Sequence, residues 1–317
     1  MSIHYITNDA CRLHDMGGYH PEAPERIDAI NDRLIASGLG MVLHHHDAPQ
    51  ATVEQLARAH DAAYIKGIFD AAPAEGIVWL DGDTAMNPHT LNAARCAAGA
   101  AIMGVDLVMN GQPRQAFCNV RPPGHHAERR RAMGFCLFNN VAVAALHALE
   151  VHGIERVAIL DFDVHHGNGT EDIVAGDERI LFCSTFQHPF YPHSGADCKA
   201  DNVVNVPLPA GTIGVDFREA VHAHWWPRLR AFEPQLLLFS AGFDAHSADD
   251  MGQINLIDDD YAWVTRQAFK IVEGTGEGRV VSLLEGGYEL KSLARSVEAH
   301  LKAFLGAHEL DVGGGFI

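Results

Sequence analysis

Residues 160–170, which read LDFDVHHGNGT, place two carboxylates and two imidazoles within six consecutive positions. They follow directly on the apolar run RVAIL, and a buried strand has no use for such side chains unless they bind something. Asp163 and His165 are two residues apart, so in an extended segment both side chains point to the same side. A carboxylate oxygen and an imidazole nitrogen can therefore share one cation.

Asp244 supplies a third ligand, because it ends a second apolar run, QLLLFSAGFD at 235–244. Two carboxylates, one histidine and an open position suit a catalytic Zn²⁺ or another divalent transition metal ion. A structural site would instead have four protein ligands and would usually be rich in cysteine. The alternative for Asp163 and His165 is a hydrogen-bonded turn at a strand end, but the polar loops elsewhere in the chain favour the metal site.

Two adjacent histidines, His125 and His126 in RPPGHHAE, are candidates for acid–base chemistry. Imidazole titrates near neutrality and can both take a proton from water and return it to a leaving amine. Asp161 is available to orient one ring and Asn168 the other. Because a carboxylate favours imidazolium more strongly than an amide does, the two rings should differ in basicity.

Tyr288 follows two glycines in LEGGYEL, at the end of the last apolar run. A phenol at this position could donate a hydrogen bond to the oxyanion of a tetrahedral intermediate. The alternative is that Gly286 and Gly287 form a turn and Tyr288 packs on a helix. The sequence of this segment alone leaves both interpretations open.

Apolar runs alternate with longer amphipathic stretches and predict an α/β fold. The runs are continuous rather than alternating, as in strands covered on both faces. Strands are predicted at 115–120, 156–163, 179–185, 235–244 and 279–288, and helices at about 90–110, 138–152, 214–231, 258–273 and 289–305. This order predicts a mainly parallel sheet with helices on both faces. Ligand sites in such sheets lie beyond the carboxyl ends of the strands, where the four polar clusters are expected to converge.

Composition narrows the class of protein. With 317 residues and 47% hydrophobic content, the chain can bury a large core, and we expect one domain over 1–317. The excess of 41 acidic over 23 basic residues disfavours nucleic acid as a partner and mildly attracts cationic substrates. We found neither the pattern of a signal peptide nor that of a membrane span, and the six cysteines are scattered, so we expect a cytoplasmic protein with reduced thiols.

The motifs together resemble a known family. HPEAPERI, RPPGHHAE, MGFCLFNN, LDFDVHHGNGT, SAGFDAH and LEGGY, in this order between about 20 and 302, resemble the zinc-dependent histone deacetylase superfamily, which includes acetylpolyamine amidohydrolases and acetoin-utilisation proteins. HHGNG is similar to the class II-like and bacterial branches. The resemblance implies the single-domain arginase/deacetylase fold, with an eight-stranded mainly parallel sheet flanked by helices on both faces.

The resemblance also implies a role for each candidate residue. The implied zinc ligands are Asp163, His165 and Asp244; His126 is the general base and then acid, His125 its electrostatic partner tied to Asp161, and Tyr288 the oxyanion donor. Asn168 stands where some members have aspartate. Members with histidine instead of the tyrosine are poor deacetylases, so Tyr288 predicts an enzyme competent on ordinary acetyl amides.

Further residues are implied around the substrate and beneath the zinc. Phe135 and Tyr191 resemble the two aromatic walls of an acyl-lysine tunnel, and the Gly134 carbonyl is a candidate acceptor for the substrate amide N–H. Arg26 either lines an internal channel for acetate or is an ion-pair residue. A potassium ion is implied at the backbone oxygens of Asp161, Asp163 and His165, with Ser184 as a side-chain ligand.

The leading interpretation is a zinc amidohydrolase that removes acetyl or a related short acyl group from lysine by metal-activated water. Polyamine-selective relatives place a glutamate near the tunnel mouth, where this sequence has Met251 beside Asp249 and Asp250. Methionine cannot pair with a second ammonium, which favours acyl-lysine in a peptide or protein. The neighbouring acids keep acetylated polyamines or other small acetylated amines as the alternative.

Two other readings are weaker. A two-manganese ureohydrolase needs further carboxylates in D-x-H-x-D and D-x-D patterns, but DVHHGN has Asn168 and FDAHSADD has no D-x-D. A catalytically silent acyl-lysine binder would be expected to lack part of the site, yet every implied ligand, both histidines and the tyrosine are present. A homo-oligomer is left open by the sequence.

Overall fold

An eight-stranded parallel sheet forms the centre of the protein in the computed structural model, which describes residues 2–306. The predicted domain extends beyond this part of the chain, and 307–317 lie outside the described residues. The strands are β1 (Ile3–Thr7), β2 (Leu43–Asp47), β3 (Val78–Trp79), β4 (Ala85–Met86), β5 (Gln115–Cys118), β6 (Val157–Asp161), β7 (Ile180–Gln187), β8 (Val203–Leu208), β9 (Leu236–Ala241) and β10 (Val280–Leu284). Strands β3 and β4 pair separately, as an antiparallel hairpin.

The strand order is β2-β1-β5-β10-β9-β6-β7-β8, and every neighbouring pair is parallel. The predicted α/β class and the eight-stranded sheet are confirmed. Strands β6, β9 and β10 are buried at every position, as expected for apolar runs covered on both faces.

The strand order also explains how one site is built from four distant segments. Strands β5, β10, β9 and β6 are consecutive neighbours in the sheet. The loops that follow them contain the RPPGHH, LEGGY, AGFDAH and DFDVHHGN clusters, respectively. Because the strands are parallel, all four loops leave the same edge, as the sequence predicts.

Two layers of helices cover the sheet. The helices are α1 (Ala10–Leu13), α2 (Glu25–Ala36), α3 (Val53–Leu56), α4 (Ala62–Ala71), α5 (Thr90–Asn110), α6 (Asn140–Val151), α7 (Asn168–Val174), α8 (Gly214–Phe232), α9 (Asp258–Glu273) and α10 (Leu290–Phe304), with a 3₁₀ helix at Leu39–Val42. One hydrophobic core lies between the sheet and α5, α6 and α7, and the other between the sheet and α2, α8, α9 and α10. The five predicted helices are present with bounds within a few residues.

Helix α5 is long and apolar. Its 21 residues and mean hydropathy of 1.3 meet the length and composition of a membrane span. However, 67% of its most apolar window is buried inside the fold. Its apolar surface is therefore used as core beneath the sheet.

Four of the five strand predictions extend past the observed end of the strand, because β5 ends at Cys118, β6 at Asp161, β9 at Ala241 and β10 at Leu284. The overrun of β6 matters most for the site. Strand β6 ends at Asp161, and Asp163 and His165 lie in the bends that follow it. The carboxylates take the backbone N–H groups that would otherwise continue the strand, since Asp161 Oδ1 accepts from Asp163 N at 3.1 Å and Asp163 Oδ1 accepts from His165 N at 2.9 Å. Such local hydrogen bonds favour a turn over an extended ladder. The two side chains still converge, but through this turn rather than through an extended segment.

Candidate active site

Three buried side chains converge where β6 and β9 end. The ligand atoms of Asp163, His165 and Asp244 all lie within 4.8 Å of one another. His165 Nδ1 is 3.1 Å from Asp163 Oδ1 and 3.2 Å from Asp244 Oδ2. The structure thus brings together the three residues that the sequence nominates for the metal.

Backbone groups hold the two carboxylates in place. Val164 N–H donates to Asp244 Oδ1 at 2.9 Å, and Gly286 N–H donates to Asp163 Oδ2 at 2.9 Å. There is no room for a side chain here, because a Cβ on Gly286 would lie 2.2 Å from Asp244 Oδ2 and one on Gly242 would lie 1.9 Å from Asp163 Oδ2. The glycines of AGFD and LEGGY therefore allow close approach of the carboxylates.

The residues fit a divalent metal ion. Asp244 Oδ2 is buried and, among the residues the structure describes, has no hydrogen-bond partner of acceptable geometry. Burial and the charge of Asp163 raise the pKa of Asp244 to about 7, against the opposing effect of His165. A buried carboxylate oxygen that has no well-aligned donor and faces a second carboxylate is costly unless a cation lies between them.

The two histidines of RPPGHH have different partners. His125 Nδ1 is 2.9 Å from Asp161 Oδ2, and His126 Nδ1 is 2.7 Å from Asn168 Oδ1, as the sequence suggests. Burial disfavours the charged form of His125, but Asp163 and Asp161 outweigh it and raise its pKa to about 10. Burial and the charge of His125 hold the pKa of His126 well below its usual value. These shifts favour a cationic His125 ring beside a neutral His126 ring.

The orientation of Asn168 determines the tautomer of His126. Asn168 Nδ2 donates to Glu128 Oε1 at 2.8 Å, so Oδ1 faces the imidazole and accepts from Nδ1–H. The neutral His126 ring then has an unprotonated Nε2. That nitrogen is available to accept a proton.

Tyr288 stays protonated in this surrounding. Burial and the nearby Asp244 raise the pKa of its phenol well above the usual value. Arg26 lies under the ring, with its guanidinium carbon 4.9 Å from the ring centroid. Arg26 also pairs with Glu22 at 3.0 Å and donates to the Gly287 carbonyl at 2.7 Å, so it is a fully buried ion-pair residue that supports the tyrosine loop.

A cavity of about 420 Å³ opens above these groups. It is lined by Asp83, His126, Gly134, Phe135, His165, Phe190, Tyr191, Asp250, Met251 and Tyr288. All four residues nominated for substrate contact, Gly134, Phe135, Tyr191 and Met251, line it. Sequence reasoning missed Phe190, which stacks on His165 at 5.5 Å, and Asp83. The position of Phe190, directly before Tyr191, is the one signal that could have indicated it.

The histone deacetylase domain family matches residues 20–304 of this chain. The chain belongs to the histone deacetylase family. The match spans all the elements that build the candidate site, from the HPEAPERI segment to α10.

Individual proteins match over most of this chain. An uncharacterised Synechocystis protein, slr0245, is 43% identical over 298 residues, which cover 92% of this chain and 96% of that protein. Polyamine deacetylase HDAC10 of Homo sapiens is 36% identical over 302 residues, covering 90% of this chain and 44% of HDAC10. The crystal structure of the HDA15 HD domain superposes with a TM-score of 0.90 at 33% identity, covering 96% of this chain and 88% of that one.

This histone deacetylase domain also has a buried acid that the sequence reading did not single out. Glu285 accepts hydrogen bonds from the backbone N–H groups of Gly124 at 2.6 Å and His125 at 3.1 Å. It therefore ties the LEGGY loop to the loop that carries the histidine pair.

Ser184, nominated as a potassium ligand, lies on β7 and pairs in register with Asp161 of β6. Its hydroxyl is 3.2 Å from His166 Nδ1. The serine is thus placed beneath the metal-ligand loop.

Proposed function

We propose that this protein is a zinc-dependent deacetylase that hydrolyses the amide of acetyl-lysine, or a related short acyl-lysine, in a peptide or protein. The observation that carries the proposal is the joint placement of the buried Asp163, His165 and Asp244 cluster, the histidine pair and Tyr288 at one cavity. A zinc ion held by these three side chains would polarise the acyl carbonyl and lower the pKa of the attacking water.

The side chains of the chain would move the protons. His126 Nε2 takes a proton from the attacking water and later returns it to the leaving lysine amine, because its ring is neutral before the reaction. His125 keeps its charge through its contact with Asp161 and so supports the ring beside it electrostatically. The Tyr288 hydroxyl, which stays protonated, donates to the oxygen that becomes negative in the tetrahedral intermediate.

The cavity walls favour a long aliphatic substrate chain. Phe135, Phe190 and Tyr191 supply aromatic surface, and Met251 lines the same cavity without a charge. The second candidate substrate class is an acetylated polyamine or other small acetylated amine. Asp83 and Asp250 also line the cavity and could attract a second ammonium group, and HDAC10 is named as a polyamine deacetylase.

A side-by-side assay tests the choice of substrate. The purified protein is given an acetyl-lysine peptide and, separately, acetylspermidine or acetylputrescine, and kcat/KM is measured for each. We expect the higher kcat/KM with the peptide, because the uncharged Met251 side chain cannot form an ion pair with the second ammonium group of a polyamine. A strong preference for either polyamine would refute the peptide assignment.

Two further assignments rest on the resemblance and the sequence. A structural potassium ion is assigned to the backbone oxygens of Asp161, Asp163 and His165 with the Ser184 hydroxyl, where it would stabilise the loop beneath the zinc. A cytoplasmic location stays a prediction from the sequence.

Replacing Met251 by glutamate should shift selectivity towards polyamines. The new carboxylate would lie on the cavity wall and pair with a second ammonium, an interaction of about 1.5–3 kcal/mol, so the kcat/KM ratio of acetylspermidine to peptide should rise about tenfold or more. Met251→Gln, which has a similar size and no charge, is the matched control. An equal shift in both variants would attribute the effect to shape and contradict the charge argument.

Asp249 is a buried positioning residue for Tyr288. Its carboxylate accepts from the backbone N–H groups of Met251 at 3.0 Å, Tyr288 at 2.6 Å and Glu289 at 3.0 Å. Asp249→Asn replaces one acceptor by a donor facing these groups, so we expect kcat on the peptide to fall about tenfold through misplacement of the phenol. Bound metal should be unchanged, which is checked by metal analysis of the same sample.

An exposed aspartate outside the cavity provides the control. Asp259→Asn removes a charge from the start of α9 and should leave kcat on the peptide near the wild-type value. If Asp249→Asn also leaves kcat unchanged, Asp249 has no positioning role.

A further inference from the structure

A second group of metal-ligating side chains lies away from the cavity, between helices α5 and α6. Asp106 of α5 faces His147 of α6 and His152, which caps the end of α6. His147 Nε2 is 2.8 Å and His152 Nε2 is 2.7 Å from the same oxygen, Asp106 Oδ1. Two imidazole nitrogens and one carboxylate thus converge on one point.

This group is separate from the catalytic residues. Helix α6 begins at Asn140, just after the loops of the active site, and ends at Val151, just before β6 starts. Its C-terminal end therefore lies towards the amino edge of the sheet, whereas the cavity lies beyond the carboxyl edge. Neither the proposed catalysis nor the sequence motifs use these three residues.

We infer that Asp106, His147 and His152 form a second binding site for a divalent transition metal ion such as Zn²⁺. Two histidines and a carboxylate are a common ligand set for Zn²⁺, with the fourth position open to water. Ligand atoms around tetrahedral Zn²⁺ are about 3.3 Å apart for bonds of about 2.0 Å. The nitrogen-to-oxygen distances of 2.7–2.8 Å therefore have to widen by roughly half an ångström.

Burial and exposure are distributed as such a site requires. The side chains of His147 and His152 are only 6% and 12% exposed, so packing restricts both rings, while Asp106 is 45% exposed and leaves a path for an ion from solvent. The ring centroids are 5.5 Å apart in an edge-to-face arrangement. Both Nε2 atoms can therefore coordinate one ion without a large movement of either helix.

One neighbouring cation has to adjust. Arg58 Nη1 lies 3.4 Å from His147 Nδ1, and its Nε donates to Glu150 at 2.9 Å. When Nε2 of His147 binds metal, Nδ1 carries the proton and no longer accepts from Arg58. The stronger contact with Glu150 remains available to hold the guanidinium.

A metal ion at this position would connect α5 to α6. It would bind the folded chain better than the unfolded chain and so raise the midpoint of thermal unfolding as its concentration rises. This effect is independent of turnover, because the proposed site shares no residue with the cavity.

Metal binding to purified full-length variants tests the inference. Equilibrium dialysis against Zn²⁺ followed by elemental analysis should find one more bound ion per chain in the wild type than in Asp106→Asn or His152→Gln. Loss of a direct ligand should lower the affinity for this ion by at least about tenfold. Even the loss of a residue that only hydrogen-bonds to a ligand typically lowers metal affinity by about 10–100-fold. When Co²⁺ is added in place of Zn²⁺, the wild type should show an absorption signal from this site in addition to that of the catalytic site. Both variants should lose the additional signal.

Two variants control for other histidines. His222→Gln removes an exposed imidazole on α8, and His46→Gln removes one that contacts His4 at the edge of the sheet. Both should keep the wild-type number of ions, and deacetylation of the peptide should persist in all four variants. Equal zinc content in the wild type, Asp106→Asn and His152→Gln would overturn the second site, whatever the result for the catalytic metal.

Discussion

Replacement of Asp244 by asparagine is expected to lower kcat/KM for an acetyl-lysine peptide by about a thousandfold or more, since the metal supplies several kcal/mol of stabilisation to the transition state. The amide keeps the shape of the carboxylate, so Val164 N–H still has an oxygen acceptor. However, a neutral NH2 group then stands in place of Oδ2, the oxygen that faces His165 and the expected metal ion, and such a group is no metal ligand. The three-residue ligand set is then one anionic ligand short.

The measurement combines kinetics with metal analysis and thermal unfolding. Wild type should gain thermal stability when Zn²⁺ is added to chelated protein, and Asp244→Asn should gain less. Without metal, the variant should be at least as stable as wild type, because it removes one of two buried like charges. Asp259→Asn, at an exposed position outside the cavity, serves as the matched substitution. Undiminished activity of Asp244→Asn, or of chelated wild type, would contradict the metal assignment.

The sequence predicts the five consecutive central strands of the sheet, from β5 to β7 in the strand order, but not β1, β2 and β8, which flank them. Strands β6, β9 and β10 are short continuous apolar runs, which only a strand covered on both faces explains well. The edge strand β2 reads LHHHD and exposes most of its residues, so it has no apolar run. Strand β8, at the other edge, contains Pro207 and is only partly buried.

The reactive residues of the site could be predicted because their types and spacing carry chemistry. The residues that support them could not, since their partners are far away in the chain. Glu285 lies in the quoted LEGGY motif, but the N–H groups that it holds are at Gly124 and His125, 161 and 160 residues earlier. Glu22 is likewise part of HPEAPERI, and its pairing with Arg121 spans 99 residues. Only the strand order brings these pairs together.

The turn after β6 shows how a correct site can follow from an incorrect local geometry. An extended segment through Asp163 would place its side chain with that of His165, and so does the observed turn, because backbone N–H groups bind the carboxylates. The i, i+2 spacing of Asp163 and His165 predicts that their side chains are close together, but it does not predict the backbone conformation that brings them together. The loop bends because its backbone N–H groups donate to nearby carboxylates instead of to a neighbouring strand.

Removal of the Tyr288 hydroxyl is expected to cause the second large loss of activity on the acetyl-lysine peptide. Tyr288→Phe keeps a ring of the same shape over Arg26 and against Phe135, 5.9 Å away, so the loop should keep its packing. The hydroxyl that would donate to the developing oxyanion is lost, which typically costs about 10²–10³ in kcat. We expect kcat on the acetyl-lysine peptide to fall by this factor while KM and bound metal stay near their wild-type values.

Tyr191 offers the matched control, because it is a second tyrosine of the same cavity. Its ring packs edge-on against His126 and His165, at 5.3 and 5.9 Å between centroids, and Tyr191→Phe keeps those contacts. This variant should retain most of the wild-type kcat, since the ring stays in place and the Tyr191 hydroxyl has no part in the proposed proton transfers. If both variants lost activity equally, the loss would reflect the polarity of the cavity wall. A Tyr288→Phe enzyme with wild-type kcat would show that the oxyanion is stabilised by other groups.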